Sequence, residues 1–168
     1  MMVQETIHIR PMQIGDLEQV QAIDRLSFSM PWPPSAYRYE LIENPAAILW
    51  VAEACRLDGD CKVVGMIVIW MVLDEAHIAT IAIHPDYRRV GIGGRLLMVA
   101  LDDALKRGAR QAMLEVRAGN SGAQEFYRKF GFEVVYRRPR YYKDNHEDAL
   151  LMNLNGLAER IPLMRGER

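Results

Sequence analysis

The stretch IAIHPDYRRVGIGGRLL, residues 81–97, places three glycines in four positions directly before an apolar run with helical spacing. A helix start carries N–H groups without a partner in the helix and a partial positive charge, and glycine has no side chain to keep a ligand away from them. The stretch therefore predicts a helix whose first turn binds an anion such as a phosphate. No Gly-Lys-Ser/Thr follows, and Leu96 stands where the dinucleotide fingerprint has its third glycine, so neither common nucleotide signature applies.

The composition is typical of a globular protein with one domain. Of the 168 residues, 50% are hydrophobic and 26% are charged, and the net charge is −1. A nearly neutral chain has no overall field that would attract nucleic acid or a membrane. The longest apolar stretch, residues 63–73, is shorter than the ~20 residues of a membrane helix, and no cleavable leader is recognisable. We therefore expect a cytoplasmic protein with neither kind of partner.

Two cysteines flank an Asp-Gly pair that is typical of a hairpin turn. Cys55 and Cys61 could therefore face each other across two strands and form a disulfide, but in a reducing cytoplasm we expect free thiols. The cysteines and the four histidines show no metal-ligand spacing, so we predict no metal site.

The order of the predicted elements indicates a mixed α/β (α+β) fold around one sheet, because paired strands come first and β-α-β units come later. We expect residues 1–155 to form a single domain and residues 156–168 to form a polar tail. Strands are predicted at residues 5–12, 46–54, 62–73, 75–85, 111–118, 132–142 and 148–154, and helices at residues 15–28, 35–44, 92–107 and 121–130.

Several strings resemble the GNAT acyltransferase superfamily. IAIHPDYRRVGIGGRLL is similar to its acetyl-coenzyme A pyrophosphate motif. With the residues before it, and with LEVRAGNSGAQEFYRKFGF and RYYKDNHEDALLM, it resembles the RimI branch, the ribosomal-protein-alanine N-acetyltransferases. The resemblance covers residues 72–152 and is less specific before them, although SMPWPPSAY resembles the substrate loop of RimI proteins. It implies the GNAT fold, in which two central parallel strands of a mostly antiparallel sheet splay apart to admit the cofactor.

The same resemblance implies acetyl-CoA as cosubstrate. Its pyrophosphate would bind the N–H groups of residues 89–94, and its pantetheine arm would lie beside the strand of residues 81–83. Arg88 and Arg89 could pair with phosphates or form a solvated pair, and Asn120 could contact the cofactor, cap a helix, or do both. The predicted cofactor-binding residues are Ile81, Ala82, Ile83, Arg88, Arg89, Val90, Gly91, Ile92, Gly93, Gly94 and Asn120.

Two residues are candidates for proton transfer. Glu115 is a carboxylate in an apolar strand, where desolvation would make it a better base; it could equally face outward in a salt bridge. Tyr127 lies on an apolar helix face, so its spacing alone predicts a core aromatic. The resemblance implies that Glu115 is the general base and Tyr127 the general acid. Because a tyrosine (pKa ~10) protonates a thiolate (pKa ~8.5) uphill by about 2 kcal/mol, the site must shift these values or Tyr127 only donates a hydrogen bond to the sulfur.

Trp32, Tyr141 and Tyr142 are the candidates for binding the acceptor, and core packing is an equally plausible role for each. Acidic residues nearby could attract a cationic N-terminus or be solvated surface charge: Asp74, Glu75, Glu147 and Asp148. The resulting prediction is an N-acetyltransferase of protein N-terminal α-amines, with a ribosomal protein as a candidate acceptor. The alternatives are a small-amine acetyltransferase, a non-catalytic acyl-CoA-binding partner, and a nucleic-acid binder that uses YRRPRYYK. The oligomeric state stays open.

Overall fold

One sheet of seven strands runs through the protein, and the computed structural model describes residues 4–166. The strands are β1 (Glu5–Pro11), β2 (Ala47–Arg56), β3 (Cys61–Val72), β4 (Glu75–Ile83), β5 (Gln111–Arg117), β6 (Glu133–Arg138) and β7 (Ala149–Asn155). They lie in the order β1-β2-β3-β4-β5-β7-β6, and each neighbouring pair is antiparallel except β4 and β5. The predicted mixed, mostly antiparallel sheet is confirmed.

Helices pack on both faces of this sheet. One face is covered by α3, with α5 beside it, and the other by α1 and α2, which lie over β2, β3 and β4. None of the described helices is long and apolar enough to cross a membrane. The helices are α1 (Leu17–Ser27), α2 (Ala36–Ile42), α3 (Ile92–Lys106), α4 (Ser121–Lys129) and α5 (Leu157–Met164).

Apolar periodicity explains these two layers. In α3 the residues Leu97, Ala100 and Leu101 are fully buried, since their spacing puts them on the stripe that faces the sheet. On the opposite face, Val20 of α1 and Tyr37 of α2 are also fully buried. Strand β3 is covered from both sides, which explains why its sequence is apolar without alternation.

The parallel strands β4 and β5 separate halfway along their length. They pair only from Glu75 and Gln111 to Ile78 and Leu114, although each strand continues further. The separation begins at a β-bulge, because Ala79 has no partner between the pairs that Ile78 and Thr80 make with β3. A gap therefore opens between the second half of β4 and the end of β5, as the GNAT resemblance implies.

The expectation of two free thiols is wrong. Cys55 and Cys61 form a disulfide across the hairpin of β2 and β3, with a distance of 4.1 Å between their Cα atoms. The two residues are direct partners in the antiparallel register, so the Asp-Gly turn brings their side chains together on one face.

The structure also differs from the expected polar tail after residue 155. Residues 157–164 form α5, whose Leu157 and Ile161 are buried against the core next to α3. Asp102 of α3 pairs with Arg165 at the end of α5. The apolar residues of this segment recur at i and i+4, a helical spacing that is easily overlooked among many charges. Residues 167 and 168 lie outside the described residues.

We expect Leu157→Ala to lower the free energy of unfolding by roughly 2–5 kcal/mol, because it removes a fully buried side chain and leaves a cavity. The matched control is Leu163→Ala in the same helix, where the leucine is 65% exposed and the cost should stay below about 0.5 kcal/mol. Urea denaturation of both variants measures the difference. Equal stability of the two variants would mean that α5 is not part of the folded core.

Candidate active site

The gap between β4 and β5 exposes the backbone edge of β4. The N–H of His84 donates to the carbonyl of Val64 at 2.8 Å, so it points to β3. Because successive residues of a strand direct their backbone groups alternately to its two sides, those of Ile83 and Ile81 point into the gap. Those of Ala82 point back to β3, and its side chain is buried on the α1 and α2 side. Of the three residues predicted along this strand, Ile81 and the N–H of Ile83 therefore offer hydrogen bonds to a ligand, whereas the carbonyl of Ile83 already accepts from Arg88.

The first turn of α3 carries an unusual number of unpaired donors. Within the described chain, none of the six N–H groups of residues 89–94 donates to a protein group, and the first helical bond runs from Arg95 N–H to Gly91 O at 3.2 Å. Gly91 has φ +87°, and Arg89 also has positive φ, at +65°. The segment therefore has unpaired donors at the positive end of a helix, as an anion site requires, and the binding of an anion there stays a prediction.

The glycines of this segment have different roles. A Cβ at Gly91 would meet nothing within 4 Å, so its glycine is required by the left-handed backbone. A Cβ at Gly94 would come within 3.0 Å of the Phe130 ring, and one at Gly93 within 3.5 Å of the Phe126 ring. The latter two glycines therefore let α4 and the residues after it pack closely against α3.

Arg88 is engaged elsewhere. Its Nε donates to the carbonyl of Ile83 at 2.8 Å, and its Nη2 donates to Ser27 Oγ at 3.2 Å. The side chain thereby ties the end of β4 to α1. A phosphate contact of Arg88 stays a prediction, and it would require the guanidinium to leave both partners.

Tyr127 is a core aromatic, as its spacing predicts, but its hydroxyl is uncommitted. The ring packs edge-on against Phe126 and Phe132 and belongs to the apolar cluster that Ile81 and Ile83 also contact. Its hydroxyl makes no hydrogen bond with any residue that the structure describes. Burial raises the pKa of Tyr127 well above its usual value, so the hydroxyl stays protonated at neutral pH.

Glu115 is exposed, so of the two alternatives that its strand pattern left open, the outward-facing one applies. It follows Leu114, the last residue of β5 that pairs with β4, and it faces away from the α3 layer because Leu114 and Val116 face towards it. Its carboxylate lies 3.5 Å from Nε of Arg138, which is the salt-bridge alternative that the sequence left open. Its interaction with the Tyr141 hydroxyl raises the pKa of that tyrosine.

Two loops flank the face that carries Glu115: the α1–α2 loop, residues 28–35, and the β6–β7 loop, residues 139–148. In the first, the Trp32 ring stacks on Tyr37 with centroids 4.8 Å apart. The backbone N–H of Trp32 donates to the carboxylate of Asp24 at 2.7 Å. In the second, Tyr141 and Tyr142 contact each other edge-on at 5.2 Å, and burial raises the pKa of Tyr142 to about 12. The three predicted acceptor residues thus belong to these two loops.

Three further predicted side chains have structural partners. Asn120 caps α4, since its Oδ1 accepts from the N–H of Ala123 at 3.1 Å. Glu147 accepts from the N–H of Gly119, which lowers the pKa of its carboxyl, and Asp148 accepts from the N–H of Arg140 with the same effect. These two carboxylates therefore have partners within the protein and are not simply solvated charges.

The comparisons with known proteins agree with this architecture. The model of the "Acetyltransferase (GNAT) family" matches residues 17–132. The chain belongs to the GNAT acetyltransferase family. A protein of Bacillus subtilis named "Putative ribosomal protein bS18-alanine N-acetyltransferase" is 40% identical over 144 residues, which are 86% of this chain and 92% of that protein. The ribosomal protein bS18-alanine N-acetyltransferase of Escherichia coli K12 is 32% identical over 148 residues, with 87% and 95% covered.

Two solved structures also resemble this GNAT chain in fold and sequence. The crystal structure of the ribosomal-protein-S18-alanine N-acetyltransferase from Escherichia coli matches with a TM-score of 0.77 and 30% identity, over 89% of this chain and 94% of that chain. That of Ard1 from Thermoplasma volcanium matches with a TM-score of 0.78 and 28% identity, over 89% and 97%. The protein is thus a GNAT N-acetyltransferase whose acetyl donor is acetyl-CoA.

The residues present fit this donor. The unpaired N–H groups of residues 89–94 suit a pyrophosphate, and the open edge of β4 suits the amides of the pantetheine arm. The uncommitted hydroxyl of Tyr127 suits a sulfur atom or another polar group of a ligand.

Sequence reasoning missed three residues of this region. Arg117 contacts the β6–β7 loop, and Arg138 contacts Glu115. Gln124 of α4 donates to the carbonyls of Arg117 and Ala118 at the end of β5. Arg117 stands two positions after Glu115 in a strand, so alternation alone places it on the same face. No comparable local signal identifies Gln124.

We expect Gly91→Ala to raise the KM for acetyl-CoA by at least tenfold, because alanine disfavours the left-handed backbone that turns the N–H groups outward. Gly59→Ala is a matched control: its φ is +90°, a Cβ there also meets nothing within 4 Å, and it lies in the β2–β3 turn. Both variants should lose about 1–2 kcal/mol of stability. Steady-state kinetics and calorimetry measure the difference, and equal acetyl-CoA affinities in the two variants would contradict a phosphate role for this turn.

Proposed function

We propose that this acetyltransferase modifies the N-terminal α-amine of a protein, with a ribosomal protein that begins with alanine as its acceptor. The observation that carries the proposal is the open face beside Glu115 and Tyr141. The described apolar cluster beneath α1 and α2 contains no residue of β5, β6 or β7. On this side Glu115 is paired across the sheet with Leu151 of β7, which is paired in turn with Tyr136 of β6. An uncovered face admits a polypeptide, whereas a small amine would favour a closed pocket.

The names of the relatives support the same acceptor. The curated proteins of Bacillus subtilis and Escherichia coli that this chain resembles are both named for alanine of ribosomal protein bS18. Ribosomal proteins are made in the cytoplasm, where we place the enzyme.

We further propose that Glu115 and Tyr127 handle protons on opposite sides of the gap. Bound acetyl-CoA supplies a thioester, an electrophile for an amine. A protein α-amine has a pKa of ~7.7–8.0, so a useful fraction of it is already neutral at neutral pH, and Glu115 needs to give only modest help in removing the proton, directly or through a water. The N–H of Ile83 points into the gap and can donate to an oxygen that gains negative charge. Tyr127 can donate a hydrogen bond to the departing sulfur; because burial raises its pKa, complete transfer of its proton is more uphill than from a free tyrosine.

The nucleic-acid alternative has little support in the structure. Two arginines of YRRPRYYK are paired with carboxylates: Arg137 with Asp148 at 2.6 Å and Arg138 with Glu115 at 3.5 Å. Charges that are neutralised within the protein do not form the basic surface that phosphate contacts require.

A panel of short peptides that differ in their first two residues tests the acceptor. We expect the highest kcat/KM for peptides that begin with alanine, measured by thiol release from acetyl-CoA. The control is the same peptide with a blocked N-terminus and an internal lysine, which should not react. Better turnover of a free polyamine than of every peptide would overturn the proposal.

Glu115→Gln and Tyr127→Phe should each lower kcat by roughly 10²- to 10⁴-fold, the usual contribution of a general acid or base, with little change in the KM for acetyl-CoA. Glu18→Gln and Tyr39→Phe are the control variants with the same chemical changes, because both side chains are exposed and neither belongs to the predicted site. Kinetics with a good peptide substrate give the comparison. Full activity of both site variants would refute the proposed proton transfers.

A further inference from the structure

Arg117 contacts both loops that flank the open face. Its guanidinium lies at the end of β5, and among the described residues its partners all belong to the α1–α2 loop or the β6–β7 loop. We propose that Arg117 is a positioning residue that joins these two loops and thereby determines the affinity for the peptide acceptor. This inference rests on the proposed function, since it assumes that the acceptor binds between the loops.

The contacts with the β6–β7 loop are numerous. The two terminal nitrogens of Arg117 donate to the two carboxylate oxygens of Asp144 at 3.0 and 2.9 Å, a bidentate pair. Nη1 also donates to Asn145 at 3.2 Å and to Glu147 at 3.3 Å. The guanidinium carbon lies 3.9 Å from the centre of the Tyr142 ring. Tyr142, which is predicted to bind the peptide, therefore stacks on the positive charge of Arg117.

The contact with the α1–α2 loop runs through one serine. Ser29 Oγ donates to Asp144 at 2.9 Å and also accepts from Nη2 of Arg117 at 3.5 Å. Ser29 and Asp144 are 115 positions apart in the chain, so this triangle joins segments that no local interaction would hold together. Trp32 lies three residues further along the same loop, anchored by Asp24. The positions of Trp32 and Tyr142 are thus linked through Arg117.

The same network reaches the start of α4. Glu147, which accepts from Arg117, also accepts from the N–H of Gly119 at 2.7 Å. A single exposed ion pair contributes little to stability. Here, however, one guanidinium makes a bidentate ion pair, further hydrogen bonds and a contact with an aromatic ring at the same time. A lysine cannot reproduce this fork, because its ammonium is a point charge.

The Arg117 side chain makes no direct contact with the residues that would hold acetyl-CoA. None of its contacts involves the edge of β4 or residues 89–94. Its one link towards them is indirect, through Glu147 to the N–H of Gly119 beside Asn120. Loss of Arg117 should therefore act mainly on the binding of the peptide.

The kinetic test compares Arg117→Gln, Arg117→Lys and the matched control Arg137→Gln, which breaks one ion pair of the same hairpin with Asp148 but touches neither Ser29 nor the α1–α2 loop. For Arg117→Gln we expect the peptide KM to rise at least tenfold, with kcat and the KM for acetyl-CoA unchanged within threefold. Arg117→Lys should rescue only part of the loss, and Arg137→Gln should leave the peptide KM within twofold. An equal rise of both KM values, or an unchanged peptide KM, would overturn the proposal.

Hydrogen exchange gives a readout that does not depend on catalysis. Arg117→Gln should accelerate exchange in residues 28–35 as well as 139–148, whereas Arg137→Gln should affect only the second segment. Ser29→Ala is a milder variant that removes only the bond between the loops, and it should accelerate exchange in residues 28–35 and raise the peptide KM severalfold. Unchanged exchange of residues 28–35 in both Arg117→Gln and Ser29→Ala would show that Arg117 does not join the loops. If no peptide is a substrate but the exchange changes as expected, the proposed acceptor is wrong and the link between the loops stands.

Discussion

The interrupted pairing of β4 and β5 is the constraint on which the rest of the structure depends. A buried strand normally pairs its backbone groups on both edges, because an unpaired donor or acceptor without water costs free energy. Here β5 leaves β4 after Ile78, beyond which Ala79 forms a bulge, so the edge at Ile81 and Ile83 has no strand beside it. The N–H groups of residues 89–94 lack protein partners as well. Both sets of groups are available to the same extended ligand, acetyl-CoA.

The two faces of the sheet divide the chemistry between them. On the α3 face, apolar packing holds Tyr127 protonated beside the open edge of β4. On the α1 and α2 face, arginines and carboxylates surround Glu115 and organise the two loops. The gap between β4 and β5 opens between these two faces, and the proposed reaction of an amine with the thioester would take place there. This arrangement explains why acid and base candidates come from different elements, α4 and β5.

Most of the fold could be predicted from local patterns. Apolar periodicity predicted the strands and helices up to residue 155, and the glycines predicted the start of α3. The pattern failed where a contact depends on a distant segment. The strand pattern left open whether Glu115 is buried or faces outward in a salt bridge, and its pairing with Arg138 from another strand decided this. Cys55 and Cys61 were expected as thiols from the presumed compartment, whereas the hairpin register joins them.

By itself, the sequence determined the family, the glycine turn and the candidate proton-transfer residues, because left-handed backbone, missing side chains and apolar spacing are properties of a few consecutive residues. Only the tertiary structure decided that Ile81 and Ile83 face the gap while Ala82 does not, since this follows from the register with β3. Only it brought Arg117, Ser29 and Asp144 together. Such contacts join segments far apart in the chain, and no local pattern encodes which distant partner a side chain meets.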